Sequence, residues 1–290
     1  MPISIDKISG VKNQVGEGPV WDVTEKMLYW LDPLAPAMYR LNPKTGAIKS
    51  WKMEKQIGSF ALREKGGAVC AMSDGFYFFD FDSGIATPVP NTNVGKPGTV
   101  FNDGKTDLRG RFIAGTVDPS FAKPLGTVHS LDASTKCSQL DSGFICTNGP
   151  CFSPDNRTFY CSDSFSHTIF AYDYDLDSGK VANKRAFAST KDLGGMPDGT
   201  TVDAEGRVWS ALAGGGKVAC FNTDGSLART IEMPTPIPAS VMFGGENLDV
   251  LYVPSIGVKM ANMDPGLDGG ALFVITGLGV KGKPEPRFAG

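Results

Sequence analysis

Short runs in which nearly every residue is apolar recur along the chain, each just after a polar or glycine-containing turn: KMLYWLD, AVCAMSD, RFIAGTV, RTFYCSD, RVWSALA and DVLYVPS. Their length, their aromatic and aliphatic content and the turn formers that bound them predict strands. Aligned on the turns, DVTEKMLYW, REKGGAVCA, DLRGRFIAG, SPDNRTFYC, DAEGRVWSA and GGENLDVLYV form a repeat with landmarks at Glu25, Gly66, Gly110, Asn156, Gly206 and Asn247. The landmarks are separated by 41, 44, 46, 50 and 41 residues, the length of a four-stranded propeller blade. Behind five of them, MYRLNPKTGAI, FYFFDFDSGI, VHSLDASTKC, IFAYDYDLDSGK and VACFNTDGSL each read as a further strand running into an Asp/Asn/Gly hairpin. The prediction is an all-β, six-bladed β-propeller of four-stranded antiparallel blades, one domain over residues 1–290. The segment ISIDKIS is expected to close the ring by adding a strand to the last blade, beside GALFVITG. A pair of β-sandwiches would also need short, regularly spaced strands, but the common register favours the propeller.

Composition narrows the chemistry. Thirty-six glycines and twenty prolines are spread along the 290 residues instead of pooling in one linker, as punctuation between strands requires. With 28 Lys and Arg against 31 Asp and Glu, and no basic cluster interleaved with aromatics, nucleic acid and anionic membrane surfaces are poor partners. No apolar run reaches the roughly 18 residues of a membrane helix, and MPISIDKISG lacks the regions of a signal peptide, so a cytoplasmic location is expected. Six cysteines without a C-x-x-C read as reduced packing residues. The two histidines, His129 and His167, are too few for a three-histidine zinc site from one subunit and leave little room for a Ser-His-Asp triad.

Counting back eight residues from each landmark gives Glu17, Gly58, Asn102, Asn148, Asp198 and Ala239. Four of these can bind a cation. Asx-Gly is ordinarily a hairpin signal and Glu17 between two glycines reads as a solvated side chain, so taken singly each is better explained without a site. Their shared offset sets them apart. In equivalent blades they would stand at one height on the strands that line the channel and would converge on its axis. Two carboxylates meeting two amides there repel without a cation. An all-oxygen set suits Ca²⁺, Mg²⁺ or Mn²⁺ and leaves Zn²⁺ and Fe²⁺ open.

The segments GEGPVWD, FNDGKTDLRGRFIAGT, TNGPCFSPD and MPDGTTVDAEGRVWSA, in this order, resemble the motifs of the senescence marker protein/gluconolactonase/regucalcin family, with a likeness running from about Val15 to about Ser255. The resemblance implies a six-bladed propeller with one divalent metal in the central channel and hydrolysis of a sugar lactone to its sugar acid. It matches Glu17, Asn148 and Asp198 to metal ligands, Asn102 to a substrate contact and Asp198 also to the general base. Asp118, in GTVDPS, falls where some members take a further substrate contact. Whether Asp198 takes the proton itself or only steers a water activated by the cation stays open. One position departs from the pattern: several sugar lactonases carry arginine two residues before the matching asparagine, where this chain has Val100. Lys96, Gln56 or a backbone amide of NVGKPG would have to replace it, or the substrate is less hydroxylated than gluconolactone. Ester or organophosphate hydrolysis on the same site, and a calcium-binding propeller without turnover, are the alternatives.

Overall fold

In a computed structural model that describes residues 2–290, the six apolar runs become the second strands of six four-stranded antiparallel sheets. The sheets are blades 1 to 5, spanning residues 17–52, 57–88, 100–144, 147–189 and 196–232, and blade 6, spanning 242–276. Each second strand is apolar on both faces because both faces are covered by neighbouring blades. Phe112–Val117 and Val208–Ala213 are buried throughout, whereas the outer strands Ile48–Lys52 and Leu227–Glu232 are mostly exposed. The third strands enter turns held by a side-chain acceptor: Asn42 Oδ1 accepts the Lys44 N–H at 3.0 Å, and Asp80 Oδ1 accepts that of Ser83 at 2.7 Å.

Between the blades the core is divided into six clusters, one for each pair of neighbours around the ring. Tyr29, Leu31 and Trp51 of blade 1 meet Ile57, Phe60 and Met72 of blade 2, and at the closure Trp21 and Trp30 of blade 1 meet Met242 and Tyr252 of blade 6. Ser4–Ile8 pairs antiparallel with Leu272–Thr276 as the outermost strand of blade 6, the closure read from ISIDKIS. All six cysteines are free. Burial raises the Cys70, Cys151 and Cys161 thiols well above their ordinary value, as suits packing residues. His129, whose ring packs near Phe101, is held neutral by burial, with its value lowered to about 4. Among the described residues no helix is long and apolar enough to cross a membrane.

The repeat landmarks fall in the turns between the first and second strands. Gly66, Gly110, Asn156 and Gly206 take positive φ there, but in blades 1 and 6 the left-handed residue is one later, Lys26 and Leu248. These turns lie on one face of the ring, and residues 281–290 strap that face. Lys281 O accepts from Ala204 of blade 5 at 2.8 Å, Gly282 N donates to Leu248 of blade 6 at 2.7 Å, and Phe288 N donates to Leu62 of blade 2 at 2.8 Å. Lys283 Nζ donates to Phe152 O of blade 4 at 2.8 Å, Glu285 faces Lys105 of blade 3 at 3.5 Å, and Arg287 reaches Asp22 of blade 1 at 2.6 Å. The strap thus touches every blade. The channel's other end, where the first strands begin, is the end lined by the candidate site residues.

Candidate functional site

Each first strand that supplies a candidate residue is interrupted by a bulge. Pairing with the second strand lapses between Glu17 and Val20 in blade 1 and between Phe101 and Gly104 in blade 3. It lapses likewise between Asn148 and Cys151 in blade 4 and between Pro197 and Thr200 in blade 5. A bulge re-aims side chains. Here it turns Glu17, Asn102, Asn148 and Asp198 toward one cavity of about 410 Å³ at the mouth of the channel. The four are not strictly equivalent: Glu17 and Asn148 are the last paired residues before their bulges, whereas Asn102 and Asp198 lie within theirs.

The Asx-Gly pairs are therefore not hairpins. Their glycines sit mid-strand, where adjacent first strands crowd. Gly149 has φ +55, and a Cβ there would stand 2.2 Å from Thr200 Oγ1; one on Gly199 would stand 1.9 Å from Ser240 Oγ and 2.4 Å from Ser240 Cβ. Gly199→Ala is expected to cost about 1–3 kcal/mol of stability through overpacking and to displace the adjoining Asp198. Urea unfolding checks the first effect, and an unchanged midpoint would contradict the crowding.

Two outer carboxylates fix where the site strands enter. Asp32, the last residue of the second strand of blade 1, accepts the backbone N–H groups of Gln14 at 2.7 Å and Val15 at 3.2 Å, three and two residues before Glu17. Asp163 in blade 4 does the same for Ile145 at 3.2 Å and Cys146 at 3.1 Å, three and two residues before Asn148. Within the site, Asn102 Nδ2 donates to Asn148 Oδ1 and to Thr147 O, each at 2.9 Å. Asn148 Nδ2 donates to Ser164 Oγ at 2.8 Å, and that hydroxyl donates to Pro197 O at 2.8 Å. This chain orients the Asn148 amide with its nitrogen toward Ser164 and its oxygen toward Asn102.

Asp103 completes the acidic group and was not singled out from sequence, although it precedes Gly104 just as Asp198 precedes Gly199. Its two oxygens accept the N–H groups of Gly104 at 2.7 Å and Gly149 at 2.9 Å, tying blade 3 to the blade 4 bulge. Burial, then Asp198, then Asp103 push the Glu17 carboxyl well above its usual range. Burial and then Asp103 do the same to Asp198, and burial raises Asp103, with Lys105 opposing. Cys146 lines the same cavity, its thiol pushed well up by burial and then by Asp198.

Glu17 and Asp198, both raised by burial and by neighbouring carboxylate charge, stand beside an amide oxygen in one cavity, a donor set that a hard divalent cation would relieve. Among the described residues no three His, Cys, Asp or Glu side chains gather as a metal centre by themselves. The fit to a cation therefore depends on the Asn148 amide oxygen joining Glu17 and Asp198.

Asp118 stands apart from this set. Its carboxylate closes a turn, accepting from Ser120 N at 3.0 Å, Ser120 Oγ at 2.8 Å and Lys123 N at 3.2 Å. The Ser120 hydroxyl and these N–H groups hold its pKa below the usual range. It does not line the cavity, but Phe121 of the same turn does. Lys96 lines a separate cavity of about 480 Å³ with Ser73 and Asp74, and neither Lys96 nor Gln56 reaches the site cavity. The cation that does is Lys259, from the long blade 6 loop.

Comparison with known proteins agrees with this architecture. Residues 15–257 match the SMP-30/Gluconolactonase/LRE-like region. The chain is 34% identical over 279 residues to a 6-deoxy-6-sulfogluconolactonase of Pseudomonas putida, covering 95% of each chain. It is 33% identical over 296 residues to a regucalcin of Xenopus laevis, covering 99% of each. A solved luciferin-regenerating enzyme superposes with a TM-score of 0.93 at 28% identity, over 99% of this chain and 100% of that one.

Proposed function

The chain belongs to the SMP-30/gluconolactonase/LRE-like family, and on that premise we propose that it hydrolyses a lactone to the corresponding hydroxy acid with a divalent cation held by Glu17, Asn148 and Asp198. The observation that carries the reading is the convergence of these three side chains and Asn102, from four blades, on one cavity. The aldonolactones acted on by gluconolactonases are the reference substrates.

A bound cation would supply Lewis-acid polarisation of the lactone carbonyl. Asn102, whose Nδ2 is engaged by Asn148 and Thr147, keeps Oδ1 to hold a ring substituent. Asp198 accepts a proton from the water that attacks the carbonyl carbon. As the acyl carbon to ring oxygen bond breaks, the proton passes to that oxygen, which leaves as the hydroxyl of the product. Asp198 is buried and Glu17 half-buried at the cavity, and Ser164 fixes the Asn148 amide through its hydrogen bond. Names of regucalcin type among the relatives support a second reading, cation binding without turnover.

Proton release separates the two. Metal-stripped protein given aldonolactones is expected to acidify the solution above the spontaneous rate only once Mg²⁺, Mn²⁺, Zn²⁺, Ca²⁺ or Fe²⁺ is restored. Cation binding with no acceleration on any lactone would favour the second reading.

A further inference from the structure

We propose, resting on the hydrolytic reading above, that the substrate is a lactone bearing an apolar alkyl or aryl arm, gripped at the channel mouth, and not a fully hydroxylated sugar lactone. Each sugar hydroxyl taken out of water needs a partner, and the cavity offers few. Asn148 has both ends of its amide engaged, by Asn102 and Ser164. Ser164 already donates to Pro197 O, and both Asp103 oxygens accept backbone N–H groups. If Glu17 and Asp198 serve the cation and the water, Asn102 Oδ1 and the rim ammonium of Lys259 are the polar groups of the lining side chains that make no hydrogen bond among the described residues, and the rest have only spare capacity beside bonds already made.

The upper wall is apolar. Val15, Ala213, Ile237, Ala239 and Ile256 form a seventh hydrophobic cluster, outside the six between blades, with Met260 and Met263 packed against it. Ile237, Met260 and Met263 from this group face the cavity together with Met196, Phe121 and Phe165. The two phenylalanines come from different blades and stack with centroids 5.1 Å apart and planes at 26°. They remain 37% and 41% exposed. Phe121 is held at φ +53, a conformation that is a genuine outlier for a bulky residue, inside the turn closed by Asp118. Its N–H donates to Asp118 O at 2.8 Å. Strain of this kind persists where surrounding structure over-determines it, and here it presents an aromatic face to the mouth. Thioether side chains beside it adapt to an irregular apolar guest. A cavity of about 410 Å³ is in the range that takes ligands of drug size, leaving room for an arm beyond the ring.

The test compares γ-nonalactone and dihydrocoumarin with gluconolactone and galactonolactone on the full-length protein supplied with Mn²⁺. The apolar pair is expected to show the higher kcat/KM, and the Phe121→Ser, Phe165→Asn double variant to lower the apolar-to-sugar ratio of kcat/KM by roughly tenfold or more. Calorimetric titration with a non-hydrolysable lactam analogue of γ-nonalactone provides a readout independent of turnover, with binding of negative heat-capacity change expected and weakened in the double variant. Faster hydrolysis of the sugar lactones, or of a sulfonated aldonolactone engaged by Lys259, would overturn the inference while leaving the hydrolase reading intact. Hydrolysis of neither class under any cation, with no lactam bound, would overturn both.

Discussion

Replacing Asp198 by Asn is expected to lower kcat for lactone hydrolysis by about 10²–10⁴-fold, the usual worth of a positioned acid or base, while the protein still folds. The amide is nearly isosteric, and the crowding around Gly199 comes from Ser240, which the change leaves in place. It also removes one buried charge from a group in which Glu17, Asp103 and Asp198 repel one another. Stability without metal should therefore hold or rise as activity falls. Measuring cation affinity beside kcat separates the roles: a loss recovered at high cation concentration makes Asp198 chiefly a ligand, and a loss that persists at saturation makes it the proton carrier. Near-normal turnover would remove it from the reaction.

The second large effect concerns the cation and pH. In metal-free protein, Glu17, Asp198 and Asp103 carry folded-state pKa values raised by burial, so the folded state binds more protons than the unfolded one above the ordinary carboxyl values of about 4. Their contribution to stability is consequently present below that range and is lost as pH rises through the folded values. A divalent cation substitutes for those protons, and its stabilising effect should grow with pH over the same window. At a thousandfold excess over Kd, linkage gives about 4 kcal/mol, a rise in melting temperature on the order of 10 °C for a chain of this size. Thermal scans of chelated protein with and without Mn²⁺ or Ca²⁺ from pH 5 to pH 8 are the check, with Glu17→Gln as control. A shift that ignores pH, or survives in that variant, would place the cation elsewhere.

What could be read from the sequence follows the periodicity of the fold. Each blade must bury the same second strand between two neighbours and turn at the same place, so the apolar runs, the turns and the closing strand Ser4–Ile8 were all legible. The three residues matched to metal ligands shared that register and do meet at one cavity. The bulges that aim them did not show, because a bulge alters pairing without altering composition. Asp103 was hidden beside Asn102 for the same reason: the offset selected one residue from each blade, and two of blade 3 reach the site. Phe121, Phe165, Lys259, Met260 and Met263 belong to loops of individual blades, where nothing repeats, and only the folded ring brings them to one rim. Asp118, matched by resemblance to a region of substrate contact, accepts hydrogen bonds from Ser120 and Lys123 within its own turn.

The strap formed by residues 281–290 and the pairing of Ser4–Ile8 with Leu272–Thr276 also bear on how the ring is made on the ribosome. Blades 1 to 5 can form in the order they emerge, but the partner of the first strand is synthesised after almost everything else. At roughly 5–20 residues per second, that strand waits on the order of 10–50 s, unpaired, while the intervening chain is translated. The strand suits the delay: its sequence, SIDKI, carries an acid and a base at adjacent positions, which discourages pairing with a neighbouring nascent chain. Only when the strap then crosses all six blades is the far face of the ring covered.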